Sequence, residues 1–176
     1  MIKKFKYILC FALILLIVGC ASDEEKIKSN CSALECIKII EPKNTVEEVN
    51  KITGVEGVLY DKKNNFYRYD LENGDTITLK YYSGNSAIVS ASYNKKKLAN
   101  RKVDLSNLKN LEKKVDSGIK YDEFIKQIGG VDGILIEKTD LSSKYIWVSK
   151  NGGYIYGSFR NEDNKCSFFA GYGDTR

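Results

Sequence analysis

The chain has 176 residues, with 28 Lys or Arg against 23 Asp or Glu, and it contains no histidine. That absence removes the commonest general base and the commonest metal ligand together, so the composition points away from an enzyme and implies no metal and no cofactor. The formal net charge of +5 overstates the basic character. Lys3, Lys4 and Lys6 sit in an N-terminal leader, and the remainder of the chain is near +2, which gives no case for a nucleic-acid partner.

The leader continues as an uncharged run from Tyr7 to Gly19. Thirteen residues of helix rise about 20 Å, short of the roughly 30 Å hydrocarbon layer, so the run reads as the apolar core of a signal peptide, residues 1–19. Its end, Leu16-Ile17-Val18-Gly19-Cys20, resembles the lipobox of bacterial lipoproteins. The resemblance implies cleavage before Cys20, a diacylglyceryl thioether on Cys20 and often a further acyl chain on the new amine. Two or three chains anchor a protein stably where one holds it only marginally. The expected location is the outer face of the cell membrane, with membrane lipid as one partner. Residues 20–31 read as a short polar tether.

Of the five cysteines, Cys10 belongs to the leader and Cys20 to the anchor. Cys31, Cys36 and Cys166 remain. Outside the cytoplasm a disulfide is expected, with Cys31–Cys36 as the local pair and Cys36–Cys166 as the alternative. A lone Cys nucleophile without His makes a poor catalyst.

A first unit spans residues 32–93. Ser32-Ala33-Leu34-Glu35 has a capping-box pattern before Ile37, Ile39 and Ile40, and predicts a short helix. Thr45 to Glu48 is a second box, opening a helix with Val46, Val49 and Ile52 on one stripe. Strands are predicted at about 58–61, 66–71, 76–82 and 86–93. A basic connection, 94–105, comes next; the stretch Asn94–Lys109 carries Lys95, Lys96, Lys97, Arg101, Lys102 and Lys109 against Asp104 alone, and reads as solvated. The second unit, 106–176, has Leu105, Leu108, Leu111 and Val115 at helical spacing. A second stripe lies at Tyr121, Phe124, Ile125 and Ile128, with strands at about 134–138, 144–149, 154–160 and 165–172.

The two units repeat one pattern. Ile52-Thr53-Gly54-Val55-Glu56-Gly57-Val58-Leu59 aligns with Ile128-Gly129-Gly130-Val131-Asp132-Gly133-Ile134-Leu135, 76 residues later. Thr45-Val46-Glu47-Glu48-Val49 faces Lys120-Tyr121-Asp122-Glu123-Phe124. Downstream, Asn73-Gly74 faces Asn151-Gly152 and Tyr81 faces Phe159. Matches in order and in hydrophobic phase point to a tandem duplication. The fold class expected is α+β, with two helix-helix-four-strand units forming one antiparallel sheet that has helices on one face.

Asn-Gly joins the middle strands of each unit. In the first, a three-residue loop, Glu72-Asn73-Gly74, sets Tyr67, Tyr69 and Leu71 on one face with Ile77, Leu79 and Tyr81. A two-residue loop would instead place Arg68 and Asp70 there, at a cost of several kcal/mol. In the second, the same register turns Tyr145, Trp147, Ile155 and Phe159 inward and leaves Ile146, Val148, Tyr154 and Tyr156. A tighter loop would leave Tyr145, Trp147, Tyr154 and Tyr156. Either way the hairpin is apolar on both sides while one helical layer covers one side.

Ser117-Gly118-Ile119-Lys120-Tyr121-Asp122-Glu123-Phe124, followed by Ile128-Gly129-Gly130, and the weaker copy Thr45 to Val49 with Ile52-Thr53-Gly54 resemble the tandem fold of the β-lactamase inhibitory protein family. Single-unit lipoproteins of outer-membrane assembly share a similar helix-turn-helix opening. The resemblance covers about residues 32–172. It implies an eight-stranded antiparallel sheet, helices on one side, and a concave opposite face that grips protein partners through aromatics. The inhibitors of that family carry a disulfide in each unit, whereas the second unit here has one cysteine.

The function expected is non-catalytic binding of an envelope protein by a membrane-tethered lipoprotein. The contact residues expected are Phe66, Arg68, Lys80 and Tyr82 with Tyr154 and Tyr156, since aromatics and Arg dominate many interfaces. The alternatives are inhibition of a β-lactamase or cell-wall enzyme, and capture of a small ligand. The paired acids Asp122-Glu123 open a helix and need no catalytic explanation.

Overall fold

The computed structural model describes residues 31–82, 85–93, 102–103, 108–149 and 152–172. The leader, Cys20 and the tether up to residue 30 lie outside the described residues. Among the described residues no helix is long and apolar enough to cross a membrane.

Both predicted caps act near the start of the described residues. The Glu35 carboxylate accepts from the Ser32 N–H at 2.9 Å and from its hydroxyl at 2.8 Å, opening α1, Ala33–Ile39. In α2, Val46–Thr53, the box is reciprocal. The Glu48 N–H donates to Thr45 Oγ1 at 3.3 Å, and the Thr45 N–H donates to Glu48 Oε2 at 2.9 Å. The bond from the Thr45 N–H, with a second from the Asn44 side chain at 3.1 Å, holds the Glu48 carboxyl below its ordinary pKa, so the cap weakens as pH falls through that range. Gly54 ends the helix with φ 68°, a conformation a side chain would oppose.

Strands β1 (Val58–Asp61), β2 (Phe66–Asp70), β3 (Thr76–Tyr81) and β4 (Ala87–Ser92) come next, then β5 (Lys102–Val103), α3 (Leu108–Asp116) and α4 (Tyr121–Gln127). The chain ends in β6 (Ile134–Lys138), β7 (Ser142–Ser149), β8 (Tyr154–Arg160) and β9 (Cys166–Tyr172). The fold is α+β. Eight strands form one antiparallel sheet in the order β1-β2-β3-β4-β6-β7-β8-β9, and β5 pairs parallel with the end of β7.

The three-residue loops are observed in both hairpins. Leu71 N–H donates to Asp75 O at 2.9 Å, Tyr69 lies opposite Ile77, and Tyr67 lies opposite Leu79. In the second hairpin Ser149 N–H donates to Gly153 O at 2.8 Å and Trp147 lies opposite Ile155. The tighter alternative is not adopted.

Two hydrophobic clusters lie on the same face of the sheet. The first joins Ala33, Cys36, Ile37, Ile40 and Val49 of the helices and their flanks to Tyr69, Ile77, Leu79 and Val89. The second joins Leu111, Phe124 and Ile128 to Trp147, Ile155 and Phe159. Tyr145 packs against both. In the second cluster Trp147 Nε1–H donates to Val131 O at 2.9 Å, so the buried indole keeps a hydrogen bond.

The structure decides between the two disulfide alternatives and corrects the reading of the basic connection. Cys31 pairs with Cys36, with Cα atoms 5.7 Å apart. Cys166 is free and buried in the second cluster, whereas Cys36 is buried in the first, so the Cys36–Cys166 alternative joins different cores. The basic connection is not wholly solvated. Lys102–Val103 completes the edge of β7 beyond the reach of β6, and Val103 is buried in the second cluster. Residues 94–101 and 104–107 lie outside the described residues.

Gly57 and Gly133 sit where each second helix passes into its strand. A Cβ on Gly57 would overlap the Tyr69 ring, and one on Gly133 would meet the Trp147 ring at 2.6 Å. Gly133→Ala is therefore expected to cost about 1–3 kcal/mol through overpacking, measured by denaturant unfolding. Ile128→Ala, which empties a site only 2% exposed, is expected to cost about 2–5 kcal/mol in the same measurement.

Candidate functional site

Residues paired directly across neighbouring strands share a face of the sheet. Tracing the pairings gives one uninterrupted row through all eight antiparallel strands: Val58, Arg68, Thr78, Ser90, Glu137, Lys144, Ser158 and Phe168. Every strand residue of the two hydrophobic clusters lies on the opposite face. The row therefore marks the sheet's outer face. Its middle is polar and its ends are apolar.

At the β1 end the row is flanked by aromatics and charge. Phe66 lies opposite Lys80, and its ring stands edge-on to Tyr60 with centroids 5.9 Å apart. Tyr60, Asp61, Asn64, Phe66 and Lys80 line a shallow hollow of about 270 Å³. The Asp61 carboxyl lies below its ordinary pKa because it accepts from the Asn64 side chain and from the Asn64 and Lys63 N–H groups. Arg68 Nε–H donates to Asp70 Oδ1 at 2.8 Å. Both side chains are largely exposed, so the pair adds little stability, about 0–1 kcal/mol, and remains available to a partner. Tyr82 is 44% exposed just past the end of β3.

At the β9 end the outer face holds the set that the three-residue register leaves there, Ile146, Val148, Tyr154 and Tyr156. Tyr154 lies opposite Val148 and Tyr156 opposite Ile146. Ile146 and Val148 are only 6% and 8% exposed, and Ile134, opposite Ile146, is 5% exposed. The two tyrosines are half-buried. They shield an apolar strip and are not free contact rings. Lys144 Nζ sits 5.6 Å from the centroid of the Tyr156 ring, within cation–π range.

All six expected contact residues belong to this outer face or its margin, but they form two groups separated by the polar row. Sequence reasoning missed Tyr60, Asp70, Glu137, Lys144 and Phe168. Tyr60 and Phe168 are 69% and 50% exposed. Strand alternation could have found Lys144 and Phe168, whereas Glu137 needs the pairing of β4 with β6.

Among the described residues, most aromatics lie instead in the cores. Tyr121, Phe124, Tyr145, Trp147, Phe159 and Phe169 form one network of rings, with Phe124 and Trp147 centroids 5.1 Å apart. Burial pushes the Cys166 thiol up to about 11, so it is protonated at neutral pH and a poor nucleophile. No group of three or more Cys, Asp or Glu side chains able to hold a metal ion occurs among the described residues.

Tyr156→Ala removes a cross-strand pair and the ring under Lys144. It is expected to cost about 1 kcal/mol by thermal unfolding, whereas Arg68→Ala is expected to change stability by no more than about 0.5 kcal/mol. No protein-family model matches the chain, and no curated protein and no solved structure matches it.

Proposed function

We propose that this chain is a non-catalytic bacterial lipoprotein, anchored through acylated Cys20, that binds an envelope protein on the outer face of its sheet. The fold belonging to this reading is a tandem duplication with helices on one side, of the kind seen in the β-lactamase inhibitory protein family. Three correspondences favour duplication. The order helix-helix-four strands occurs twice. Gly57 lies against Tyr69 as Gly133 lies against Trp147. The pairing of β1 with β2 slips between Leu59 and Asp61, and that of β6 with β7 slips between Leu135 and Glu137, again 76 residues on.

The observation that carries the binding reading is the row from Val58 to Phe168, which lies on the side opposite both cores. A mixed surface of this type suits a partner bound through a few anchors and a polar surround. Phe66, Arg68, Lys80 and Tyr82 form the anchoring group at one end. Tyr154 and Tyr156, half-buried beside Val148 and Ile146, form the group at the other.

Photo-crosslinking in intact cells tests this. Probes replacing Arg68 or Lys80 are expected to capture one discrete partner, and a probe replacing the exposed Lys51 of α2 is expected to capture none. Equal capture from Lys51 would count against the outer face. In a separate measurement, Cys20→Ser is expected to abolish incorporation of labelled fatty acid and to release the protein from the membrane fraction.

A further inference from the structure

Tyr121 is the first residue of α4, and its ring packs with centroids 4.8 Å from Tyr145 and 5.0 Å from Phe159. The first residue of α2 is Val46. Tyr67 precedes Tyr69, which faces Ile77, as Tyr145 precedes Trp147, which faces Ile155. Tyr81 likewise corresponds to Phe159. The first half thus keeps the two ring-bearing walls but has a valine where the second half has the ring between them. A cleft of about 270 Å³ stands there, lined by Val46, Tyr67 and Tyr81 together with Lys43, Asn65 and Asn85.

The walls are held in place. Tyr81 donates from its hydroxyl to Asn44 O at 2.7 Å, and Tyr67 stands edge-on to it with centroids 6.0 Å apart. Asn65 and Asn85 both hold left-handed backbone, φ 48° and 66°, which Asn tolerates better than most residues. The side chains of Lys43, Asn65 and Asn85 make no hydrogen bond among the described residues, so they can meet a polar group. In the second half the Tyr121 hydroxyl finds its polar partners elsewhere, accepting from the Gly133 N–H at 3.1 Å and donating toward Asp132 Oδ1 at 3.4 Å, on the connection between α4 and β6; in the first half the polar groups are those of Lys43, Asn65 and Asn85.

We propose that the cleft of the first half receives a phenol ring, the exposed tyrosine side chain of a partner polypeptide, where the second half seats its own Tyr121. The volume of about 270 Å³ exceeds the roughly 150 Å³ that holds a benzene ring, so a phenol ring fits with room for water beside its hydroxyl. Aromatic walls favour edge and tilted ring contacts over aliphatic filling. Lys43 is exposed and so rewards an ionic ligand little, which favours a neutral hydroxyl. This inference rests on the reading of the halves as copies.

The test titrates p-cresol, the tyrosine side-chain analogue, into the full chain in detergent and follows backbone amide shifts. Saturable shifts at Val46, Tyr67 and Tyr81 are expected, with competition by N-acetyltyrosinamide. In Val46→Tyr, which installs the ring covalently, the shifts are expected to vanish while the melting temperature holds or rises; the same micelles control for partitioning. Tyr121→Val is expected to lower the melting temperature and to recover part of it with p-cresol. A folded Val46→Tyr beside an unresponsive wild type would overturn the cleft while leaving the duplication intact. An unfolded Val46→Tyr would show that the two places are not equivalent, and would overturn the duplication and the proposal together. Binding of p-cresol without N-acetyltyrosinamide would overturn the polypeptide as the occupant.

Discussion

The continuity of the sheet depends on a short ladder between β4 and β6. Only Val89 with Lys138 and Ser90 with Glu137 are paired there. Two pairs alone are a weak specification of register, and a slip of one residue would exchange the faces of everything beyond. Side chains supply what the ladder lacks. Lys138 Nζ donates to Ile40 O at 3.2 Å and meets Glu41 Oε1 at 2.7 Å, which ties β6 to the end of α1. Tyr93 donates its hydroxyl to Leu135 O at 2.6 Å. Burial raises the Tyr93 phenol well above its usual pKa, so the donor keeps its proton throughout the physiological range. Ser86 hydrogen-bonds Asp140 across the same junction. With these four bonds in place, the core side chains of both halves fall on one face and the polar row on the other.

Much of this was legible in the chain. The register of the first hairpin followed from the cost of burying Arg68 and Asp70, whereas the second, apolar on both sides, left two loops open. Helix starts at Ser32 and Thr45 followed from side chains that bond backbone within four residues. Such local chemistry is written where it acts. The β4–β6 ladder is not, since two helices intervene and no turn dictates its offset. The strand at Lys102–Val103 was hidden for a related reason: two residues beside a run of lysines carry no alternation, and β7 supplies the order.

The candidate face was legible only in part. Arg68, Lys80 and Phe66 sit where alternation places them. Tyr154 and Tyr156 share their face but spend much of their surface on Ile146 and Val148, a consequence of Ile134 arriving alongside from β6. The abundance of aromatic residues was also misleading as a guide to the outer surface. Each half uses rings mainly to fill the space between helix and sheet, and Gly57 and Gly133 exist to let the largest of them in. The disulfide partner was equally beyond spacing alone. Cys166 lies beside Phe159 in the second core, and that position depends on the final strand returning along β8.

The Cys31–Cys36 bond carries a mechanical consequence. Any tension arriving along the chain that precedes Cys31 would otherwise peel α1 from its first turn outward, one hydrogen bond at a time. The covalent link passes that load past Ser32 and Glu35 to Cys36, which is fully enclosed by the first core. Pulling must then shear the packed interior as a unit, a far stiffer response than unzipping.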